Sequence, residues 1–201
     1  MRTERVLMRK FLLFLLLSIF VVVFNACAQP SPPPTAPQPE FTTTATVRDI
    51  MESVVDPAAD VVWGAVETIV SAKGIEEKYP RNDEEWQVVR NNAIILLEAS
   101  NLLKIPGRAV ARAGETSENP GIELSPEQVQ ALIDKDRASW NKYAQALHDA
   151  TLEALKTIDA KSAEGLLNTG DGIYQACESC HKHYWYPDDK VPPAPSEKSS
   201  N

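Results

Sequence analysis

Two cysteines and a histidine near the end of the chain have a spacing that can hold a redox cofactor. Cys177, Cys180 and His181 belong to the pentapeptide C-x-x-C-H. At this spacing the two thiols attach a haem covalently, as thioethers to its vinyl groups, and the adjacent imidazole binds the iron. The motif therefore predicts one covalently bound haem c.

Two other interpretations of the same residues have less support. A thioredoxin-like redox pair requires a strand before the motif and a βαβ unit around it, and the sequence indicates neither. A zinc site requires four ligands, and the remaining cysteine, Cys27, lies at the far end of the chain. The haem interpretation is the one that the sequence favours.

The start of the chain has the pattern of an export signal. An apolar run from Phe11 to Phe24 follows a basic segment. The basic residues are Arg2, Arg5, Arg9 and Lys10. Because the apolar run is shorter than the roughly 20 residues that a spanning helix needs, we predict a cleaved signal peptide over residues 1–26. An uncleaved membrane anchor is the alternative.

The end of this segment is similar to the lipobox of bacterial lipoproteins, in which a cysteine becomes the acylated N-terminus. Here a small residue, Ala26, precedes Cys27. The match is imperfect, since Phe24 and Asn25 stand where that motif usually has a leucine and a small residue. We predict a periplasmic protein tethered to a membrane by lipid at Cys27. Ordinary cleavage after Ala26 or Ala28 is the alternative.

Composition divides the rest of the chain into three parts. Residues 27–41 form a proline-rich linker, residues 42–186 have the size of one domain, and residues 187–201 form a tail that we expect to be disordered. The net charge of −8 argues against nucleic acid as a partner. Such acidity suits a basic redox partner, or it only aids solubility.

Within the domain, apolar residues recur at helical spacing. The first helix should begin near Thr44 or Thr46 and continue to Ile69, with a kink or local break at Pro57. The clearest apolar stripe belongs to the second helix and consists of Trp86, Val89, Ala93, Leu96, Ser100 and Leu103.

The second half of the domain predicts two more helices after a long loop from Lys104 to Leu124. Ser125 caps a helix of about eight turns, and the last helix carries the C-x-x-C-H motif from Ala163 to Tyr184. No alternating pattern predicts a strand or a hairpin. We therefore predict an all-α fold, an antiparallel four-helix bundle.

Four helices with C-x-x-C-H on the last one resemble the cytochrome c prime family, the class II c-type cytochromes. The resemblance covers residues 42–186. Besides the motif itself, Arg48, Met51 and Tyr184 lie where that family has comparable residues, and the resemblance implies that they contact the cofactor. One position differs, because Trp185 stands where members commonly have a basic residue on the histidine side of the haem.

The resemblance implies two alternatives for the other face of the iron. An apolar residue from the first helix leaves the iron five-coordinate and able to bind small gases, whereas methionine makes it low-spin. Because this chain has Met51 there, we predict His181 and Met51 as the axial ligands, a pair that raises the reduction potential. His148 and His183 are expected at the surface.

Three further expectations concern side chains near these positions. Arg48 pairs with a haem propionate, or it is a solvated surface arginine. Tyr184 is expected to contact the cofactor. The tryptophans Trp63, Trp86 and Trp140 are expected in the bundle core or in the walls of a haem pocket.

The sequence predicts an electron carrier rather than an enzyme. It contains no Gly-rich phosphate loop, no G-x-S-x-G and no H-E-x-x-H sequence. The expected function is electron transfer between redox partner proteins, and the alternative is a five-coordinate haem module that binds NO or CO. The resemblance also implies that a homodimer can form through the first two helices.

Overall fold

The computed structural model describes residues 40–187. The predicted signal peptide, Cys27, the linker up to residue 39 and the tail from residue 188 lie outside the described residues. The described part contains five helices and one hairpin. They are α1 (Val47–Trp63), α2 (Asp83–Leu103), α3 (Pro126–Lys135), α4 (Arg137–Asp159), α5 (Ala163–Tyr184), β1 (Glu67–Ser71) and β2 (Gly74–Lys78).

Helices α1, α2, α4 and α5 form a four-helix bundle, which confirms the predicted fold class. Helix α4 packs along both α2 and α5, and α1 packs mainly against α2. Every member of the predicted α2 stripe is buried, because a period of 3.6 residues places these side chains on one face of the helix. Among residues 40–187, no helix has the length and apolar character needed to cross a bilayer.

The first helix is shorter than predicted. It ends at Trp63, and the residues expected to continue it, including Ile69, form the antiparallel hairpin of β1 and β2. All ten strand residues are exposed, so the hairpin has no buried face to give the alternating pattern by which a strand is predicted. The β-branched sequence Thr68-Ile69-Val70 is the local preference for a strand that our prediction missed.

The predicted third helix is two helices, because the helix is interrupted at Asp136. This residue leaves helical geometry, with φ −140° and ψ 73°, and its side chain accepts a hydrogen bond from the Ser139 N–H at 2.9 Å. Aspartate stabilises helix starts in this way, and the apolar periodicity alone does not reveal it. The predicted cap at Ser125 is confirmed as the start of α3.

The long loop between α2 and α3 holds the start of α1. Val47 and Arg48 donate backbone hydrogen bonds to the carbonyls of Ala109 and Val110, at 2.9 and 3.0 Å. Thr46 forms a capping box with Asp49, a reciprocal pair of bonds that closes the first turn. The buried guanidinium of Arg108 donates to the Ala45 carbonyl. The first turn of α1 is thereby fixed beside the loop.

Candidate functional site

The C-x-x-C-H motif lies on the last two turns of α5. Cys177 and His181 are four residues apart and Cys180 is three from Cys177, so the three side chains share one side of the helix. Both cysteines are half-buried free thiols packed against the core. This placement confirms that the motif is helical, and within the described residues helices, not a strand, lie directly before it.

Burial gives the two thiols a high pKa. It raises the pKa of Cys177 to about 11, with a smaller contribution from the negative charge of Asp56, and it raises the pKa of Cys180 to about 12. A reactive dithiol pair instead needs a lowered pKa, since the thiolate is the nucleophile. No group of three or more potential metal-binding side chains occurs within residues 40–187. Both observations weaken the alternative interpretations as a redox pair or a zinc site.

Two adjoining cavities meet at the motif. The larger, of about 320 Å³, is lined by parts of α1, α4, α5 and the long loop, among them Met51, Trp140, Cys180, His181 and Tyr184. The smaller, of about 30 Å³, lies among Met51, Cys177, Cys180 and His181. Met51 and His181 line both cavities, so the structure brings the two predicted iron ligands to one space.

Met51 begins a widened turn of α1. Residues Met51–Val55 form a π-helical segment, in which the Asp56 N–H bonds to the Met51 carbonyl. Pro57 follows directly. It has no N–H to donate to the Ser53 carbonyl, and its ring would clash with that carbonyl in a regular α-helix. The predicted disturbance at Pro57 is therefore a π turn, a form that often occurs at functional sites.

The His181 imidazole is held in its neutral form. Burial lowers its pKa, and the nearby carboxylates of Glu178 and Asp56 oppose that effect only in part. Neutral imidazole is the form that binds a metal ion. Asp56 lines both cavities, and burial raises the pKa of its carboxyl group. The sequence analysis did not single out Asp56 or Glu178, although Glu178 lies inside the motif.

Arg48 lies at the wall of the larger cavity and already has protein partners. Its guanidinium donates to the Thr116 carbonyl at 3.0 Å and lies 3.8 Å from a Glu115 carboxylate oxygen and 4.0 Å from one of Glu52. Its side chain is half-buried, so it is neither a fully solvated surface arginine nor a fully buried one. Contact with a propionate remains a prediction for this residue.

Tyr184 and Trp140 form an aromatic wall of the larger cavity. Tyr184 is 2% exposed, and its ring meets Trp140 edge-on at 5.1 Å. The buried Tyr184 hydroxyl lies near Ser139 and has no hydrogen bond of normal geometry within the described chain. Buried hydroxyls usually have a partner, so this one suits a polar group of a ligand. Trp86 is in the core, and the half-buried Trp63 donates to the Gly170 carbonyl at 3.2 Å.

The other two histidines lie outside both cavities. His183 is exposed and stacks on Tyr143 with ring centroids 5.2 Å apart. His148 is half-buried rather than exposed, and its Nδ1 atom lies 3.2 Å from an Asp149 oxygen. Neither histidine lines a cavity with His181, so Met51 is the better candidate for the second ligand.

These residues fit a covalently held haem. Two free thiols lie beside an imidazole, a thioether lines the same space, and a buried hydroxyl with no hydrogen bond of normal geometry within the described residues lies in the wall. Another cavity of about 350 Å³, between Trp63 and Tyr174, contains neither thiol nor imidazole. The fold and site together define the class of the protein as a four-helix bundle with a C-x-x-C-H site on its last helix.

Comparison with known proteins gives only remote likenesses. No protein-family model matches the sequence, and no curated protein matches it. A nitric oxide complex of a mutant cytochrome c prime from Alcaligenes xylosoxidans is similar in structure, with 19% identity over 73% of this chain and 99% of that chain and a TM-score of 0.45. A cytochrome c′ structure with 20% identity covers 73% of this chain and 99% of its own, with a TM-score of 0.39.

Proposed function

We propose that this protein is a single-haem c-type cytochrome that carries electrons and is not an enzyme. The observation that supports this most strongly is that Met51 and His181, from different helices, line the same two cavities beside Cys177 and Cys180. When bound, the haem would supply an iron that changes between Fe(III) and Fe(II). The protein would contribute attachment, ligands and exclusion of water.

Each residue of the site has a separate role in this proposal. Cys177 and Cys180 would hold the porphyrin through thioether bonds, so that the cofactor could not leave the protein. His181, from α5, and Met51, from α1, would bind the iron. Trp140 and Tyr184 form an apolar wall, and the Tyr184 hydroxyl and the Arg48 guanidinium offer hydrogen bonds to acidic groups of the cofactor.

Visible spectra test the proposal and its alternative together. The protein is matured with haem, reduced, and recorded with and without carbon monoxide. Sharp low-spin bands that the gas does not change support His181 and Met51 ligation and electron transfer. A high-spin spectrum with rapid gas binding instead supports the alternative, a five-coordinate module for NO or CO, and contradicts Met51 as a ligand.

For the partner, we propose a redox protein with a basic surface. Four carboxylates line the larger cavity, and they belong to Glu52, Asp56, Glu118 and Glu123. Opposite charges on two redox proteins speed their encounter, and salt screens this effect. We expect electron transfer to a basic cytochrome to become slower as the ionic strength rises, as measured by stopped-flow spectroscopy. Transfer that is independent of salt would contradict this partner.

For the location, we propose the periplasm, with lipid attached at Cys27. Mass spectrometry of the mature N-terminus tests this, because an acylated Cys27 has the added mass of its lipid. The Cys27→Ser variant should lose that mass and move to the soluble fraction. An unmodified mature protein that starts at another residue would rule the lipid out.

A further inference from the structure

In the described part of the chain, the imidazole of His181 lacks the hydrogen bond that usually orients a metal-binding histidine. Among residues 40–187, no group hydrogen-bonds to this ring, and only burial and nearby charges affect its pKa. A histidine that binds a metal is usually oriented by a hydrogen bond from its other ring nitrogen. The contacts of the His181 ring within these residues are instead with aromatic rings.

The closest ring contact to His181 comes from Trp185. Their ring centroids are 5.1 Å apart and their planes are nearly perpendicular, at 89°. This edge-to-face arrangement is a favourable geometry for two aromatic rings. Tyr186 contributes a second contact, with ring centroids 6.0 Å apart. Trp185 is nevertheless 40% exposed, so burial in the core does not explain its position.

The long loop holds Trp185 in place. The Leu124 N–H donates to the Trp185 carbonyl at 2.8 Å. Burial raises the pKa of the Glu123 carboxyl group, but hydrogen bonding from the Asn119 backbone and the nearby Trp185 indole outweighs it, so the pKa is lowered. Glu123 also accepts hydrogen bonds from the backbone N–H groups of Glu118, at 2.9 Å, and Asn119, at 3.1 Å. Trp185 is thus fixed by a loop that is itself ordered around Glu123.

Tyr186 is anchored differently. Its hydroxyl donates to the Glu178 carboxylate at 2.9 Å. Glu178 lies on α5, as His181 does. Contact with Tyr186 therefore depends on α5 alone. Trp185 is held by α5, since its N–H donates to the His181 carbonyl at 2.7 Å, and also by the loop between α2 and α3. The same loop also binds the start of α1, just before Met51. The loop thus joins the two sides of the site.

We propose that Trp185 is a positioning residue for His181: its ring packs edge-on against the imidazole and fixes the plane of that ring, and so the direction in which it would bind iron. This inference depends on the proposed function, because it requires haem at the motif. It assigns a role to the residue that stands where the resembling family has a basic side chain.

The test uses the haem-loaded protein in its oxidised form. The haem-methyl proton shifts in NMR spectra depend on the plane of the axial histidine, so they report its orientation directly. We expect Trp185→Ala to change the spread of these shifts and to shift the midpoint potential. Trp185→Phe retains a ring against His181 and should restore most of the wild-type pattern. Glu123→Gln weakens the hold of the loop and should give an intermediate change.

A matched control comes from the same helix. Tyr174 is an aromatic residue of α5 that is 50% exposed and lines neither cavity at the motif, and Tyr174→Ala should leave the haem-methyl shifts unchanged. If Trp185→Ala does not accumulate with haem, Glu123→Gln decides the question, and wild-type haem-methyl shifts in that variant would overturn the proposal. If the iron is high-spin, the iron–histidine stretching band in resonance Raman spectra replaces the NMR readout.

The two proposals can fail separately. If the wild type takes up haem and the Trp185→Ala protein has the same haem-methyl shifts, only the positioning role is overturned. A wild type that takes up no haem under conditions that mature other c-type cytochromes overturns the proposed function, and this inference with it.

Discussion

Met51 and His181 line the same two cavities, although they lie 130 positions apart in the sequence and belong to the first and last helices of the bundle. Their meeting depends on the packing of α1 beside the last turns of α5 and on the widened turn that begins at Met51.

Removing one thiol should weaken covalent attachment of the haem. In Cys180→Ala, one thioether remains possible through Cys177, so we expect a lower yield and a pyridine haemochrome band shifted toward that of a haem with one free vinyl group. Haem staining after denaturing electrophoresis measures the yield. Ser179→Ala, inside the same motif, serves as the control and should mature normally. Full attachment in Cys180→Ala would contradict the assignment.

Replacing Met51 by leucine should convert the iron to a high-spin form. Leucine has a similar volume, so the fold should lose less than about 1.5 kcal/mol of stability, while the thioether ligand is lost. The reduced spectrum should broaden and carbon monoxide should bind rapidly. Val54→Ala, in the same π-helical segment, is the control and should keep the low-spin spectrum. A low-spin Met51→Leu protein would show that Met51 is not the ligand.

Pro57 should control the position of Met51. Pro57→Ala restores a backbone N–H and removes the ring that clashes with the Ser53 carbonyl, so the π turn loses its cause. We expect α1 to become more regular and the low-spin fraction to fall as Met51 turns relative to His181.

Magnetic circular dichroism measures that fraction in the Pro57→Ala protein. Pro106→Ala makes the same chemical change at an exposed position of the long loop. It therefore controls for the general effect of proline on the unfolded chain. Identical spectra for Pro57→Ala and the wild type would contradict the role of Pro57.

The haem-free protein should become less stable above about pH 9. Unfolded thiols lose their protons near pH 9.0, whereas folded Cys177 and Cys180 lose theirs near 11 and 12. Between these values the folded state binds more protons, so a rise in pH favours unfolding. Each thiol should cost about 1.4 kcal/mol per pH unit in this range.

Urea unfolding at pH 8, 9, 10 and 11 measures this dependence. The Cys177→Ser and Cys180→Ser variants should each show a smaller slope of stability against pH, whatever their stability at pH 8. A wild-type stability that does not change between pH 9 and 11 would contradict the buried thiols.

Several features could be predicted from the sequence because local physics determines them. The spacing of C-x-x-C-H places its side chains together on any helix, so the cofactor could be predicted before the fold was known. The side chains of Thr46 and Ser125 accept hydrogen bonds from backbone N–H groups within the first turn of their helices. The buried residues of the α2 stripe follow the helical period throughout. The bundle followed from these local patterns.

Other features were missed because apolar periodicity does not show them. The exposed hairpin at Ile69 has no buried face, and Asp136 ends one helix and begins the next without interrupting the apolar pattern. Their local signals are the β-branched run in β1 and the capping side chain of Asp136. The sequence likewise placed a proline near Met51 but could not show that the strain would be relieved by a π turn.

The sequence by itself was enough to predict a haem attached at Cys177 and Cys180 with His181 as its first ligand, since all three residues lie within one turn and a half of helix. Only the tertiary structure brought Met51 to the same cavity and joined Trp185, which lies edge-on against the His181 ring, to the long loop through the Leu124 N–H. The physical reason is range: a helix fixes neighbours along the chain, whereas contacts between distant residues depend on how helices and loops pack.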